Sequence, residues 1–443
     1  MIIDSIKSFL GTCIIHNNNF FSYEELSDQI DKYIIELKKE LSTNDNVIIK
    51  SDYNFYSISL FISLSKFNIN IIPIVDTNID EFKKKLKVCN VDKIIEINNI
   101  GGLIVTKRKS KKNKEFSEYT SKKETGLILF SSGSTGEPKV MIQNLTMMLR
   151  LLPKPKRQRK LTFLIFLLFD HIGGLNTLLN CLNNGSTIVI PDKRNPSNII
   201  DLVYKHKINV LPTSPTFLNL IIMDNNFKKE KFDSVKLITY GTERMPKSLL
   251  NRLNKNLPKI KFLQTFGTSE TGILKTKSKS SESLFFKIDD PDREYKIINN
   301  ELYLKSKTSI SGYKNYENKS FNDGWFATGD LVEVDDQSFI KIIGRKNDII
   351  NVGGLKVLPS EVENVINSIK GIIDCSVYGE ENVIIGNIVC AKIIINKNSD
   401  SKEIKKEIKK ICNTKLEKYK VPSKILFDYN IKYSKRFKKI NEK

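Results

Sequence analysis

The stretch Leu127-Ile128-Leu129-Phe130-Ser131-Ser132-Gly133-Ser134-Thr135-Gly136-Glu137-Pro138-Lys139-Val140 decides how this chain reads. An apolar run able to form a buried strand ends in a loop built almost wholly of Ser, Thr and Gly. Pro138 and Lys139 follow. Small residues let backbone N–H groups approach a phosphate, hydroxyls add donors, and Lys139 adds a point charge. The spacing is not the Gly, four residues, Gly-Lys-Ser/Thr of the common kinase and GTPase loop, because Gly136 is followed by Glu137-Pro138-Lys139. The loop over 131–139 is expected to hold a nucleotide phosphate by a different geometry.

Around this loop the pattern is α/β. Apolar positions at helical spacing over 23–41, with Ser22 as N-cap, predict a helix. Asn46–Lys50 reads as a strand, 55–67 as a buried helix and 71–75 as a strand. The alternation returns over 161–270: strands at 161–168, 187–191, Val210–Thr213, 235–240 and Lys261–Gln264, with a helix at 198–206. Such alternation argues an open α/β sheet. Residues 298–345 differ, with short strands and Gly turns. After Arg345 a small unit restarts: a helix over 359–369, strands at 372–378 and 387–395, and a Lys/Glu-rich helix over 401–416.

Length and composition set bounds. The 443 residues exceed one ordinary domain. With 40% apolar residues, 24 Phe and 15 Tyr, a large core is available. No apolar run reaches membrane-spanning length, and Met1-Ile2-Ile3-Asp4 lacks the basic start of a signal peptide, so a cytoplasmic protein is expected. The six cysteines are scattered without a Cys-x-x-Cys pair, and the three histidines make no metal pattern. The net charge of +22 favours polyanions. It accompanies a chain-wide excess of Lys, Ile and Asn, and the basic runs at 107–114 and 154–160 lack the interleaved aromatics of a single-strand binder. Nucleic-acid binding is not expected.

Four further strings carry chemistry. Phe169-Asp170-His171-Ile172-Gly173-Gly174 places a lone His beside two glycines. Tyr240-Gly241-Thr242-Glu243 and Gln264-Thr265-Phe266-Gly267-Thr268-Ser269-Glu270 each follow a strand directly, where open α/β sheets bind ligands. Gly324-Trp325-Phe326-Ala327-Thr328-Gly329-Asp330 sets a carboxylate on a tight Gly turn, suited to accept from the two hydroxyls of a ribose. Gly344-Arg345-Lys346-Asn347-Asp348, Gly353-Gly354 and Tyr433-Ser434-Lys435-Arg436-Phe437-Lys438-Lys439 come after.

Loop and motifs together, from about Thr125 to the end, resemble the adenylate-forming superfamily: acyl-CoA synthetases, carrier-protein-loading adenylation domains and firefly luciferase. The resemblance implies an α/β fold in two parts. A large N-terminal domain over 1–346 would combine α/β sheets with a small β-rich part. A small, mobile α+β domain over 347–443 would act as a lid, hinged near Asn347, where relatives often carry Asp.

It also implies roles. Ser131, Ser132, Gly133, Ser134, Thr135, Gly136 and Lys139 would hold ATP phosphates. Gly241, Thr242, Glu243, Phe266 and Gly267 would border the adenine, and Asp330 and Arg345 the ribose. Ser269 stands where the family has Thr and would touch the α-phosphate, with neighbouring Thr268 as the alternative. Glu270 would hold Mg²⁺. His171 would help admit the acid's carboxylate, with Gly173, Gly174, residues 211–217 and Gly241 lining the acid pocket. Lys438 would bridge carboxylate and phosphate. Phe437 replaces the family's Gly there, which leaves Lys439 as an alternative. Gly353 and Gly354 would approach the arm of a thiol substrate.

The implied function is ATP-dependent activation of a small-molecule carboxylic acid to an acyl-adenylate, then thioester formation with CoA. The rival acceptor is a separate acyl carrier protein, and a non-catalytic nucleotide-binding homologue is the third reading.

Overall fold

The computed structural model describes residues 2–75, 78–109, 114–132, 137–155, 157–317, 319–397 and 399–429. Gly133, Ser134, Thr135, Gly136 and Lys438 therefore lie outside the described residues, as does the side chain of Ser132.

Two mostly parallel sheets form the bulk of the chain. The first orders Leu103–Lys107, Lys93–Ile97, Asn46–Lys50, Asn70–Ile74, Gly126–Ser132 and Pro138–Asn144, with antiparallel pairs only at its two edges. The second orders Lys261–Gln264, Leu237–Tyr240, Val210–Thr213, Thr162–Leu164, Thr187–Ile190, Thr12–His16 and Asn19–Ser22. Strands buried on both faces read as continuous apolar runs. Asn70–Ile74 and Val210–Thr213 are buried along their whole length.

Helices Phe55–Leu64 and Ile172–Asn184 share one apolar core with strands of both sheets. Phe55–Leu64 is apolar or small almost all round, the pattern of a helix enclosed on every side. Helix Tyr23–Leu37 starts as its sequence predicts. Ser22 accepts the Glu25 N–H, and Glu25 returns to the Ser22 N–H, a capping box.

Residues 276–345 form an antiparallel sheet, the β-rich part expected from the sequence. From Ile350 onward a separate five-stranded sheet with helices Pro359–Ile366 and Ser401–Lys415 encloses its own core. Among the described residues no helix is long and apolar enough to cross a membrane.

Several elements differ from expectation, among them three in the large domain. The strand expected over 161–168 is only Thr162–Leu164. Ile165 and Phe166 stay buried, but the chain has already turned toward helix Ile172–Asn184, so the apolar run outlasts the strand. Helix Tyr23–Leu37 stops short of residue 41, and Phe55–Leu64 short of residue 67.

Arg194 joins the sheets. Its Nη2 donates to Asp52 Oδ1 at 3.1 Å, its Nη1 to Oδ2, and its Nε to the Phe166 carbonyl at 2.7 Å. Asp52 follows a strand of the first sheet, and Arg194 a strand of the second. Arg194→Ala should lower the free energy of urea unfolding by about 1–2 kcal/mol, because charged hydrogen bonds are lost at a partly screened site. Arg194→Lys should recover less than half of this, since a point charge cannot reproduce the fork.

Candidate active site

The carboxyl ends of both parallel sheets face the antiparallel sheet across a cleft of about 950 Å³. The cleft is lined by Ser131, Lys139, His171, Gly173, Gly241, Thr242, Phe266, Gly267, Thr268, Ser269, Glu270 and Arg345. Residues far apart in sequence thus meet where open α/β sheets bind ligands.

Lys139 pairs across the strands with Ser131, so the hairpin register places the ammonium at the loop's base. That ammonium rests on two rings, 5.1 Å from the centre of Tyr313 and 4.0 Å from that of Tyr316. Tyr313 donates its hydroxyl to Glu270 Oε1 at 2.8 Å. Burial, then the Glu270 charge, pushes the Tyr313 phenol far above its ordinary range, so it remains a donor. Neither tyrosine was flagged by the sequence. Only aromatics spaced after Gly312 could have hinted at them, and their partners lie in distant segments.

The two hydroxyls next to Glu270 differ in their hydrogen bonding. Thr268 Oγ1 accepts the Thr271 N–H at 3.1 Å and pairs with the Thr271 hydroxyl, tying it into the local turn. The Ser269 backbone carbonyl is held by Gln143, and its side chain borders the cleft.

Asp330 is 4% exposed. It sits inside strand Trp325–Val334 rather than on a turn, opposite Arg345 in the register. Gly329, at φ 72°, gives the irregularity that re-aims the strand. Arg345 Nε holds Asp330 Oδ1 at 2.7 Å, while Oδ2 is buried with no hydrogen-bond partner. Burial raises the Asp330 carboxyl to about 6; Arg345 opposes this, and Asp348 and Glu301 add to it. Asp330 borders a second cavity, shared with Phe266, Gly267 and Arg345, and an orphaned acceptor there suits a diol donor.

His171 caps helix Ile172–Asn184. Its Nδ1 accepts the Gly173 N–H at 3.1 Å, which puts the neutral ring's proton on Nε2. Asp170 beside it is buried against Lys85 at 3.6 Å. Thr242 takes φ 71°, a rare conformation for a β-branched residue. Gly241 is required by close passage: a Cβ there would lie 2.5 Å from Thr265 Oγ1.

Three expected site residues, Gly174, Gly353 and Gly354, line neither cavity, and two, Glu243 and Asp330, border the second one rather than this cleft. Glu243 caps helix Pro215–Met223, accepting the Thr216 N–H at 2.7 Å. Gly174 does not open the acid pocket: it lets the helix pack against the Leu168 carbonyl and Tyr53. Gly353 and Gly354, at φ 57° and 85°, form a hairpin turn and line neither cavity. Of residues 211–217, Pro212 and Thr213 border the cleft.

A family model described as AMP-binding enzyme matches residues 46–297, more than half of the chain, and its C-terminal domain model matches 361–429. The chain belongs to the AMP-binding enzymes. Among curated relatives, the 2-succinylbenzoate–CoA ligase of Enterococcus faecalis is 26% identical over 345 residues, covering 73% of this chain and 70% of the relative. The 4-coumarate–CoA ligase 3 of Oryza sativa subsp. japonica is 29% identical over 334 residues, covering 68% and 60%. The chain thus spans roughly two thirds of the length of such relatives. The fold matches the ATP-bound MatB of Rhodopseudomonas palustris with a TM-score of 0.81 at 17% identity, covering 98% and 96% of the two chains. It matches the anthranilate CoA ligase AuaEII in complex with anthranoyl-AMP at 0.80 and 17%, covering 98% and 94%. The motif-based resemblance is borne out.

If Asp330 accepts the ribose hydroxyls, as the resemblance implies, its ionised form is the stronger acceptor. Its folded-state value is raised, so protonation sets in as pH falls through about 6. Adenosine, which has no phosphate to titrate, should bind with a Kd rising about tenfold per pH unit below that point. Asp330→Asn should bind weakly at neutral pH and lose the dependence. A flat profile in the native protein would remove Asp330 from ribose binding.

Proposed function

We propose that this chain activates a carboxylic acid with ATP and transfers the acyl group to the thiol of CoA. The observation that carries this reading is the meeting of Lys139, Ser269, Glu270 and Arg345 in one cleft, with Arg345 paired to a buried Asp330 whose other oxygen is unpartnered. CoA ligases among the relatives support it.

The chemistry answers a difficulty. A carboxylate is a poor electrophile, and its oxygen leaves poorly. Attack by a carboxylate oxygen on the α-phosphorus of ATP breaks the bond to pyrophosphate and leaves a mixed anhydride with AMP. A thiol then attacks the acyl carbon, and AMP leaves with the electron pair of the broken C–O bond. The first step brings an anion to a polyanion, so charge must be offset where it develops. Lys139 is placed for this at the loop's base. The Ser269 hydroxyl serves as α-phosphate donor, since Thr268 is occupied within its turn.

Of the two carboxylates that the described residues put at the cleft, Glu301 is paired with Lys346, which leaves Glu270 to fit Mg²⁺, an ion usually held by one or two carboxylates together with substrate phosphates. Glu270, oriented by Tyr313, would hold it, and the ion would neutralise phosphate charge. His171, with its proton on Nε2, donates toward the incoming carboxylate. In this reading Lys438 supplies the second cation. The small domain swings about Asn347 between half-reactions, bringing Gly353 and Gly354 to the thiol. The cytoplasm, with its ATP and CoA, is the compartment that fits.

Acid-dependent pyrophosphate release from ATP and Mg²⁺, followed by CoA thioester formation, is the expected activity. Lys139→Ala and Glu270→Gln should each lower kcat by about 10²–10³. Tyr313→Phe should cost about tenfold in kcat with adenosine affinity retained, as it loses one orienting hydrogen bond. Adenylate formation without transfer to CoA would make a carrier protein the acceptor. No release with any acid, and a Glu270→Gln variant equal to the native protein, would leave the non-catalytic nucleotide-binding reading.

A further inference from the structure

The cleft has two chemically distinct ends. Lys139, Glu270 and Arg345 mark the nucleotide end. The other end is built from helix Ile172–Asn184 and strands Val210–Thr213 and Leu237–Tyr240. Its character is legible from the helix. Leu175, Leu178, Leu179 and Leu182 point into the core, while Ile172, Gly173, Asn176 and Thr177 line the cleft. Positions three and four apart share a face, so this is one continuous stripe. Beyond Ile172 the helix offers the Asn176 carboxamide and the Thr177 hydroxyl, whose proton is given to the Gly173 carbonyl at 2.9 Å and whose oxygen remains an acceptor.

The strands continue the same surface. Thr239 borders the cleft beside Pro212, its partner in the register. Thr213 is 2% exposed, and its Oγ1 is buried with no hydrogen-bond partner. Thr242 Oγ1 is likewise buried and unpartnered, on a residue held in a strained backbone conformation. Asn176 Oδ1 accepts from Asn180 at 3.3 Å, and among the described residues its own N–H donors have no protein partner. Buried polar atoms left unpaired are rare and costly, and they call for a partner. A methylene chain would supply none.

Charge narrows the class further. Among the described residues that this helix, its N-cap and these strands put on the cleft, His171 is the only titratable one. They offer no Lys or Arg to pair a second carboxylate and no Asp or Glu to pair an ammonium; the other charged residues of the cleft come from other elements and include Lys319 and the Lys346–Glu301 pair. A buried unpaired charge is strongly unfavourable.

We propose that the acid activated here is small and carries an uncharged hydrogen-bonding group, such as a hydroxyl, keto or amide, remote from the carboxylate that reacts with ATP. The proposal rests on the ligase reading given above. Thr213, Thr242 and Asn176 are the specificity-determining groups, with Thr177 and Thr239 completing the polar wall.

The test is pyrophosphate release by the full chain with ATP and Mg²⁺ over matched pairs of acids. One pair is para-hydroxybenzoate against para-toluate; another is a short terminal hydroxy acid against the alkyl acid of equal length. Succinate and β-alanine form the charged arm. A site built around hydrogen bonds rejects the analogue lacking them far more strongly than an apolar pocket distinguishes similar shapes. The polar neutral member should lead in kcat/KM by at least about 100-fold. Thr213→Val, equal in shape but without the hydroxyl, should shrink that ratio about tenfold while leaving the KM for ATP unchanged. Asn176→Leu, at a half-buried position, should shift the ratio the same way where Thr213→Val fails to fold. A preference for the alkyl, dicarboxylic or amino acid overturns the proposal and leaves the ligase reading standing. No release with any acid overturns both.

Discussion

Tyr313 donates its hydroxyl to Glu270 at 2.8 Å, lies under the Lys139 ammonium, and bridges by its backbone to Met141. One side chain thereby fixes three segments that sequence keeps far apart. The hairpin carrying Lys139 belongs to the first sheet, Glu270 to the ribbon after the second, and Tyr313 to the antiparallel part. Neighbouring contacts reinforce the junction. Asn315 accepts from the Val140 N–H and donates to the Pro138 carbonyl, and the Lys314 N–H reaches the Val140 carbonyl. Because the ring holds a cation on its face and an anion at its edge, the two charges are positioned without cancelling each other directly. Each remains able to act on a third charge placed between them.

The same logic governs Asp330. Burial disfavours its charged form, yet one oxygen is held by Arg345 and the other left bare. A carboxylate so placed is destabilising in the empty protein and is relieved by a donor pair arriving from outside. Arg345, itself 57% exposed at its side chain, compensates only in part. Strain at Thr242 follows the same pattern, with an unfavourable local state maintained by the surrounding packing at the cleft. These local costs are borne by the large apolar cores beneath, where helices Phe55–Leu64 and Ile172–Asn184 bind the sheets together.

What could be read in the sequence was short-range. The strand before the phosphate loop, the capping box at Ser22 and the bare strand ends before Gly241 and Thr265 are set by residues within a few positions of each other. So is the positive φ at Gly329. The tie of Glu243 to the helix start at Pro215 is a tertiary contact that no local pattern announces. Gly174 is ambiguous for a related reason, as small size serves backbone packing and ligand access equally well. Tyr313 and Tyr316 were invisible, since cation–aromatic pairing across the molecule leaves no periodicity. Thr268 and Ser269 differ by hydrogen bonds that exist only once the turn is formed.

The segment beyond Ile350 bears on how two half-reactions could share one cleft. Its core is closed on itself, so it does not depend on the large domain for apolar burial. Its contacts across the boundary are polar: Arg244 to Glu363 at 2.7 Å, and the Ser360 hydroxyl to the Ile343 carbonyl. Beside them lies a second cavity of about 600 Å³, bordered by Thr216, Arg244 and Arg252 on one side and by Asp374 and Tyr378 on the other. A polar, incompletely packed boundary can be broken and re-formed at low cost, because water replaces each lost hydrogen bond. An apolar boundary would lock one arrangement. Asn347 sits exposed in the short turn Lys346–Asp348 between the two bodies, where a change in backbone angle disturbs no buried side chain. The proposed swing therefore meets its resistance at the Arg244–Glu363 pair. Glu363 also accepts the Val377 N–H, so its carboxylate stays oriented within the small domain when Arg244 is released.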